Sequence, residues 1–317
     1  MARAALALLL IGSLGGQTPR LRTTVHLVIA PTTVTDRHGR NIDGLTDGDF
    51  RLLDNGARRE VHVDYALVPI SLVIAVQSSS FSAAALNKVR QAGSMIEPLV
   101  TGERGEVAVV SFDSEVLVVQ QFTSDPEKLK KAFLRLEPGD EGGKMIDAVA
   151  EATRLLETRP QERRRVLLVF SETRDRGSKQ KLEDTATAIQ RANVTVYPVT
   201  YSAYATAFTA RPGTTPPPSG AGVNIIAILR ELGRMGKKNT AAALSAYTRG
   251  RTLEFVRQRG LEEAITRVGE ELHSQYLLSF TVGDSGDASY HALQVSVEGR
   301  PDAVVRARPG YWLAGGQ

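Results

Sequence analysis

A chain of 317 residues, 42% hydrophobic and 23% charged, can bury one large core or two smaller ones, and its composition excludes wholesale disorder. Its 39 Lys and Arg against 35 Asp and Glu leave a net charge of +4. The basic residues are scattered, with the densest run at 163–165, so nucleic-acid binding has no basic stripe to rest on. The absence of cysteine excludes disulfides, zinc–thiolate sites and thiol catalysis.

The amino terminus reads as an export signal. Arg3 precedes an apolar run at 4–10, too short to span a bilayer, and Ser13, Gly15 and Gly16 follow as a small-residue peptidase site would. Residues 1–17 are expected to be a signal peptide, with an uncleaved anchor as the alternative, which places the mature chain in the periplasm or outside the cell. No membrane span is expected after signal cleavage. Residues 23–34 alternate and are rich in Thr, Val and Ile, which suits a strand. In LTDGDFRLLDNG (45–56), Thr46 can cap a helical turn, 50–53 reads as a short strand, and Asp54-Asn55-Gly56 is a tight turn. Residues 59–67 alternate again, and 18–68 reads as an N-terminal β module.

From Pro69 apolar strands alternate with helices, the mark of βαβ units and a parallel sheet. The strand in SLVIAVQSSSFS (71–82) opens into serines, and VLLVFSETRD (166–175) ends in a similar polar loop. Strands at 107–111 and 116–121 flank a turn at Asp113, and another is expected at 194–199. Helical spacing joins Leu86, Val89, Gly93 and Ile96, then Ile146, Val149, Thr153 and Leu156. Thr123-Ser124-Asp125-Pro126 opens a helix with a cap and an early proline. A further helix covers 182–192. A proline-rich excursion at 210–222 is read as a spacer, Tyr197 as core, and Tyr204 and Phe208 as packing beside the excursion. Ile225, Leu229 and Leu232 mark one more helix, and Leu261, Ile265, Val268 and Leu272 the last. Strand candidates follow at 275–282, 291–297 and 303–308, and the last two are expected to pair with the amino-terminal strands.

The alternating core resembles a von Willebrand factor type A (VWA) domain from about Pro69 to His273. The resemblance is carried by SLVIAVQ with its serine loop, GEVAVVSFDSEV, EGGKMIDAVAEA and VLLVFSETRDRGS. The flanks VTDRHGRNIDGLTDGDFRLLDNG and QYLLSF…RPGYW look like those of exported bacterial VWFA-related proteins. The implied fold is α/β, a Rossmann-like core with a mostly parallel central sheet and helices on both faces. It would run over 69–281, with C-terminal strands at 282–317 completing a small β module with the N-terminal ones.

Such domains are known for a metal-ion-dependent adhesion site, in which a D-x-S-x-S loop, a distant Thr and a distant Asp hold Mg²⁺. Carried over without gaps, the first Asp falls on Gln77, the serines on Ser79 and Phe81, the Thr on Lys144 and the last Asp on Glu172. Sliding by one residue keeps both serines, as Ser78 and Ser80, but puts Val76 at the Asp position. A cation that surrenders several waters needs more than one anionic oxygen, and this set offers a neutral amide, an ammonium and one carboxylate. The site is therefore read as degenerate, with no metal and no cofactor, and Mg²⁺ binding is the alternative. An inward Lys144 would pair with Glu172 in the metal's place. Asp147 and Asp175 are expected to face solvent or cap local turns.

Other chemistry finds less support. No G-x-S-x-G surrounds Ser78, Ser79 and Ser80. The five histidines (His26, His38, His62, His273 and His291) are dispersed, and spacing alone supports no Ser–His relay. Glu270 and His273 are half of a di-iron motif without its second copy, and there is no P-loop or dinucleotide fingerprint. The resulting expectation is a non-enzymatic protein-binding module. Its partner-binding residues would be Gln77, Ser78, Ser79, Ser80, Lys144, Glu172, Arg174 and Asp175, with Lys144, Arg174 and Arg176 meeting an acidic protein partner. The alternatives are a Mg²⁺-dependent adhesion module and a structural component of a cell-envelope assembly.

Overall fold

Where both faces of a strand are covered, its sequence must be apolar at successive positions rather than alternate ones. The central strand of this protein meets that condition, with all eight residues from Ile70 to Gln77 buried. The computed structural model describes residues 25–64, 68–160, 162–201, 225–248, 250–283 and 289–312. The expected signal peptide, the proline-rich excursion, Tyr204 and Phe208 lie outside the described residues.

In chain order the first strands are β1 (Val25–Thr35), β2 (Phe50–Asp54), β3 (Ala57–Arg59) and β4 (His62–Asp64). Asn55 and Gly56 close the β2–β3 hairpin with φ of 49° and 84°, the left-handed pair that a two-residue turn of this hand requires. The expected single strand over 59–67 is broken, because the chain crosses there from the sheet of β3 to the sheet of β4. Val61 anchors the crossing in the apolar interior.

The core follows as β5 (Ile70–Gln77), α1 (Ala83–Ala92), β6 (Glu106–Phe112), β7 (Val116–Thr123), α2 (Pro126–Leu134) and α3 (Met145–Glu157). It continues through β8 (Arg164–Ser171), α4 (Leu182–Arg191), β9 (Val194–Tyr201), α5 (Ile225–Gly236), α6 (Thr240–Thr248), β10 (Leu253–Phe255) and α7 (Gln258–His273). Asp125 caps α2 as expected, accepting from the amides of Glu127 and Lys128 at 2.9 and 3.3 Å. The sheet order is β10-β9-β8-β5-β6-β7, parallel throughout except for β7 against β6. Leu72, Ile74 and Val76 pack with α1, α2 and α7 on one face. Val73 and Ala75 pack with α3, α4 and α6 on the other. The chain leaves β5 toward the first helical layer and β8 toward the second. Their loops part at the carboxyl end of the sheet, the position where open α/β folds form crevices.

The tail supplies β11 (Tyr276–Gly283), β12 (Tyr290–Val297), β13 (Val304–Ala307) and β14 (Gly310–Trp312). Two sheets of four strands, ordered β13-β1-β11-β4 and β14-β12-β2-β3, share one apolar interior and form a sandwich. Phe50 meets Tyr276 edge-on at 5.2 Å across it, and Phe280 meets Tyr311 at 5.8 Å. The amino- and carboxyl-terminal strands therefore build one module, as the sequence implied. β11 runs across the expected boundary at 281 and pairs with β1 and β4. A buried polar cluster ties the module to the core. The Tyr197 phenol donates to Glu271 at 3.1 Å, Arg306 reaches the same carboxylate at 2.7 Å, and Gln275 joins Tyr197 to Thr33. Among the described residues, no helix is long and apolar enough to cross a membrane.

Candidate functional site

The carboxyl ends of β5, β6 and β8 converge on one cluster of polar contacts. Val76, the last inward apolar residue of β5, is 1% exposed in the core of the α1 face, so strand alternation puts the side chain of the next residue on the opposite, α3-bearing face. That residue is Gln77, itself 2% exposed. Its amide oxygen accepts the Glu172 backbone N–H at 2.9 Å, and its amide nitrogen donates to the Ser79 hydroxyl at 3.1 Å. Ser82 closes the loop, donating to the carbonyls of Ser79 at 2.6 Å and Gln77 at 3.2 Å. A buried amide bonded at both ends is a stable bracket, with its oxygen turned to the Glu172 N–H and its nitrogen to the Ser79 hydroxyl.

The slid alignment is thereby excluded. The Ser78 hydroxyl lies 3.4 Å from the Phe112 carbonyl, and Ser80 is exposed, its backbone N–H donating to Asp140. Phe81, at the nominal second-serine position, is half exposed.

The turn before α3 is held by backbone. The Lys144 N–H donates to the Asp113 carbonyl at 3.0 Å, and Gly143 and Arg176 exchange two backbone bonds. A side chain at Gly142 would bring a Cβ within 2.4 Å of the Ser114 nitrogen, so this close approach requires glycine. The expected Lys144–Glu172 pair does not form. Glu172 faces Arg176 instead, one helical turn's spacing further along its own loop, a shorter reach than across the turn to Lys144. Neither Lys144 nor Arg174 has a carboxylate at ion-pair distance among the described residues; the Arg174 guanidinium donates to the Lys238 carbonyl at 3.0 Å. Asp175 accepts from the Ile146 N–H at 2.9 Å and from the Ser178 hydroxyl at 2.6 Å, and Asp147 accepts from the amides of Lys179 and Gln180. Asp147 and Asp175 thus tie the start of α3 to the loop after β8 across about 30 residues of sequence, and only the Asp175–Ser178 contact is the local turn cap expected.

The structure thus brings together Gln77, Ser79 and Glu172, with the Lys144 backbone and Arg176 beside them, turns Ser78, Ser80 and Asp175 to other work, and leaves Arg174 exposed on the loop after β8. Sequence reasoning missed Ser82, Asp113 and Asp140. Asp113 accepts from the amides of Glu115 and Asp140, at 2.8 and 3.0 Å, and supports the cluster. The signal for it was available: β6 is an apolar run followed at once by a polar residue, Asp113, much as β5 and β8 give way to polar loops.

Mg²⁺ asks for an octahedron of hard oxygens with more than one charge among them. Glu172 already faces a guanidinium, Asp113 is turned to the amides of Glu115 and Asp140, and the Gln77 oxygen is turned to an N–H. The donor set does not fit the ion. No group of three or more His, Cys, Asp or Glu is placed to hold a metal among the described residues.

Comparison with known proteins places this geometry. Residues 72–174 match the model of the von Willebrand factor type A domain. Similar solved structures include BatB from Bacteroides thetaiotaomicron, at 17% identity and TM-score 0.42, covering 63% of this chain and 99% of that one. A von Willebrand factor type A protein from Catenulispora acidiphila gives 11% identity and TM-score 0.48, over 92% and 74% of the two chains. The proximal thread matrix protein 1 of the mussel byssus gives 14% and 0.48, over 70% and 50%. No curated protein sequence matches. The matched segment runs from β5 to the loop after β8, and over it the α/β core is similar to a von Willebrand factor type A domain.

Proposed function

We propose that the chain is an exported binding protein that holds an acidic protein partner at the carboxyl end of its parallel sheet, without a bridging metal. The Gln77 bracket carries this reading. It satisfies the site from within and leaves positive side chains, Lys144 and Arg174, with no carboxylate at ion-pair distance among the described residues. A partner carboxylate would meet an ammonium or guanidinium directly, an interaction that gains strength as the contact sheds water.

A fluorescein-labelled Glu-rich peptide, followed by anisotropy at two salt concentrations, tests the proposal. The double variant Lys144→Glu/Arg174→Glu should weaken binding by at least about tenfold, the equivalent of 1.4 kcal/mol. The same charge change at Lys128 and Lys130, exposed on α2, should leave it nearly unchanged. Equal losses from both double variants would mean diffuse attraction to a basic protein and would refute a defined face.

A further inference from the structure

The β sandwich holds a constellation that the binding reading does not use. The Asp54 carboxylate, at the end of β2, has a side chain only 1% exposed. One of its oxygens takes two bonds from the Arg59 guanidinium, at 3.0 and 2.8 Å. The other lies 2.8 Å from His291 Nδ1 on β12. On the far side of the ring, His291 Nε2 lies 3.2 Å from the Ser289 hydroxyl. The Tyr311 phenol sits 3.2 Å from Nδ1, completing the wall of the cluster.

Partner chemistry sets the tautomer. An ionised carboxylate only accepts, so Nδ1 carries the hydrogen and Nε2 presents its lone pair to the Ser289 O–H. Arg59 occupies one oxygen of Asp54 and leaves the second for the histidine. Exposure rises along the row: Asp54 is buried, the His291 side chain is 13% exposed, and Ser289 is half-buried at the solvent end. A nucleophile within reach of a base, itself oriented by a buried acid, is the arrangement that activates a hydroxyl. Sequence spacing could not reveal it, because Asp54 and His291 are 237 residues apart.

We propose that Ser289, His291 and Asp54 form an acyl-transfer site that accepts small, accessible carboxylic esters, independent of the partner-binding face. The Ser289 Oγ bonds to the ester carbonyl carbon as His291 Nε2 takes the hydroxyl proton. The bond from that carbon to the alcohol oxygen breaks, and the proton passes from Nε2 to the departing alkoxide. Water then attacks the acyl-serine with the same base, releasing the acid and restoring Ser289. Phosphate esters are poorly served, since the Arg59 guanidinium is spent on Asp54 at the buried end and that of Arg308 lies over the Tyr311 ring.

The full chain incubated with p-nitrophenyl acetate, with nitrophenolate release followed by absorbance and acetylated serines by peptide mass spectrometry, tests this. Ser296, exposed on the same strand with no histidine beside it, is the internal reference. Ser289 should acetylate much faster than Ser296, the burst should vanish in Ser289→Ala, and His291→Gln should slow it on the order of 10²-fold. Asp54 acts through His291 as a positioning residue, so Asp54→Asn should lower the maximal acylation rate and leave the half-saturating ester concentration unchanged. Ser289→Ala removes one hydroxyl from a half-buried position and serves as the fold-preserving control. Labelling of Ser289 no faster than Ser296, or a rate unchanged in His291→Gln, would overturn the proposal.

Discussion

Replacing Gln77 tests whether the site is closed by its own hydrogen bonds. The amide makes two of them in a site where the side chain is 2% exposed, one to the Glu172 N–H and one to the Ser79 hydroxyl. Each contributes about 1 kcal/mol net, and stranding the Glu172 N–H adds roughly another 1 kcal/mol. Gln77→Met keeps the volume and most of the packing while removing both bonds, which separates polar loss from cavity formation. The expected cost is about 3 kcal/mol. At about 2–4 °C per kcal/mol for a domain of this size, the core's melting midpoint should fall by roughly 6–12 °C. Differential scanning calorimetry on the full chain resolves that drop. A fall of less than about 2 °C would mean that the amide does not hold the loops together.

Alkaline pH should destabilise the protein through buried phenols. Burial pushes Tyr247 from 10.0 up to about 12, and desolvation pushes Tyr197 and Tyr201 further in the same direction. Because the folded values are raised, their contribution is intact below pH 10 and is lost as pH rises from 10 toward 12 and beyond. The slope reaches about 1.4 kcal/mol per pH unit per phenol, and a urea midpoint that stays flat to about pH 11.5 would contradict it. Gly56→Ala places a Cβ at φ 84° and should cost about 1–2 kcal/mol, read as faster amide exchange in the β2–β3 hairpin; unchanged exchange would refute the strain. Arg176→Ala should change stability by less than about 1 kcal/mol, since the arginine side chain is 47% exposed; a larger calorimetric loss would show that its pair with Glu172 is structural.

Much of the core was legible because its strands are buried on both faces and therefore read as continuous apolar runs. The Asn55-Gly56 hairpin and the Asp125-Pro126 helix start were equally clear, because those positions demand special backbone conformations or capping oxygens. α6 was not legible: TAAALSAYT is small and apolar on nearly every side, so it carries no period to detect. β10 contributes only three residues, too few for any pattern. At the site, a first residue that is Gln rather than Asp was visible, but the choice of Arg176 over Lys144 as the partner of Glu172 depends on how the loop after β8 folds back. The module's polar cluster depends on register between β2 and β12, brought together from opposite ends of the chain, and no local signal reports it.

The central claim is that the carboxyl-end site is closed by protein atoms and works without a cation. Titration of the full chain with Mg²⁺, Mn²⁺ and Ca²⁺, by calorimetry and by thermal melting, tests it most directly. No binding heat and no change in the melting midpoint are expected with any of the three ions. A saturable heat with a stabilising shift that disappears in Glu172→Ala would contradict the claim and make a metal-bridged partner the mechanism.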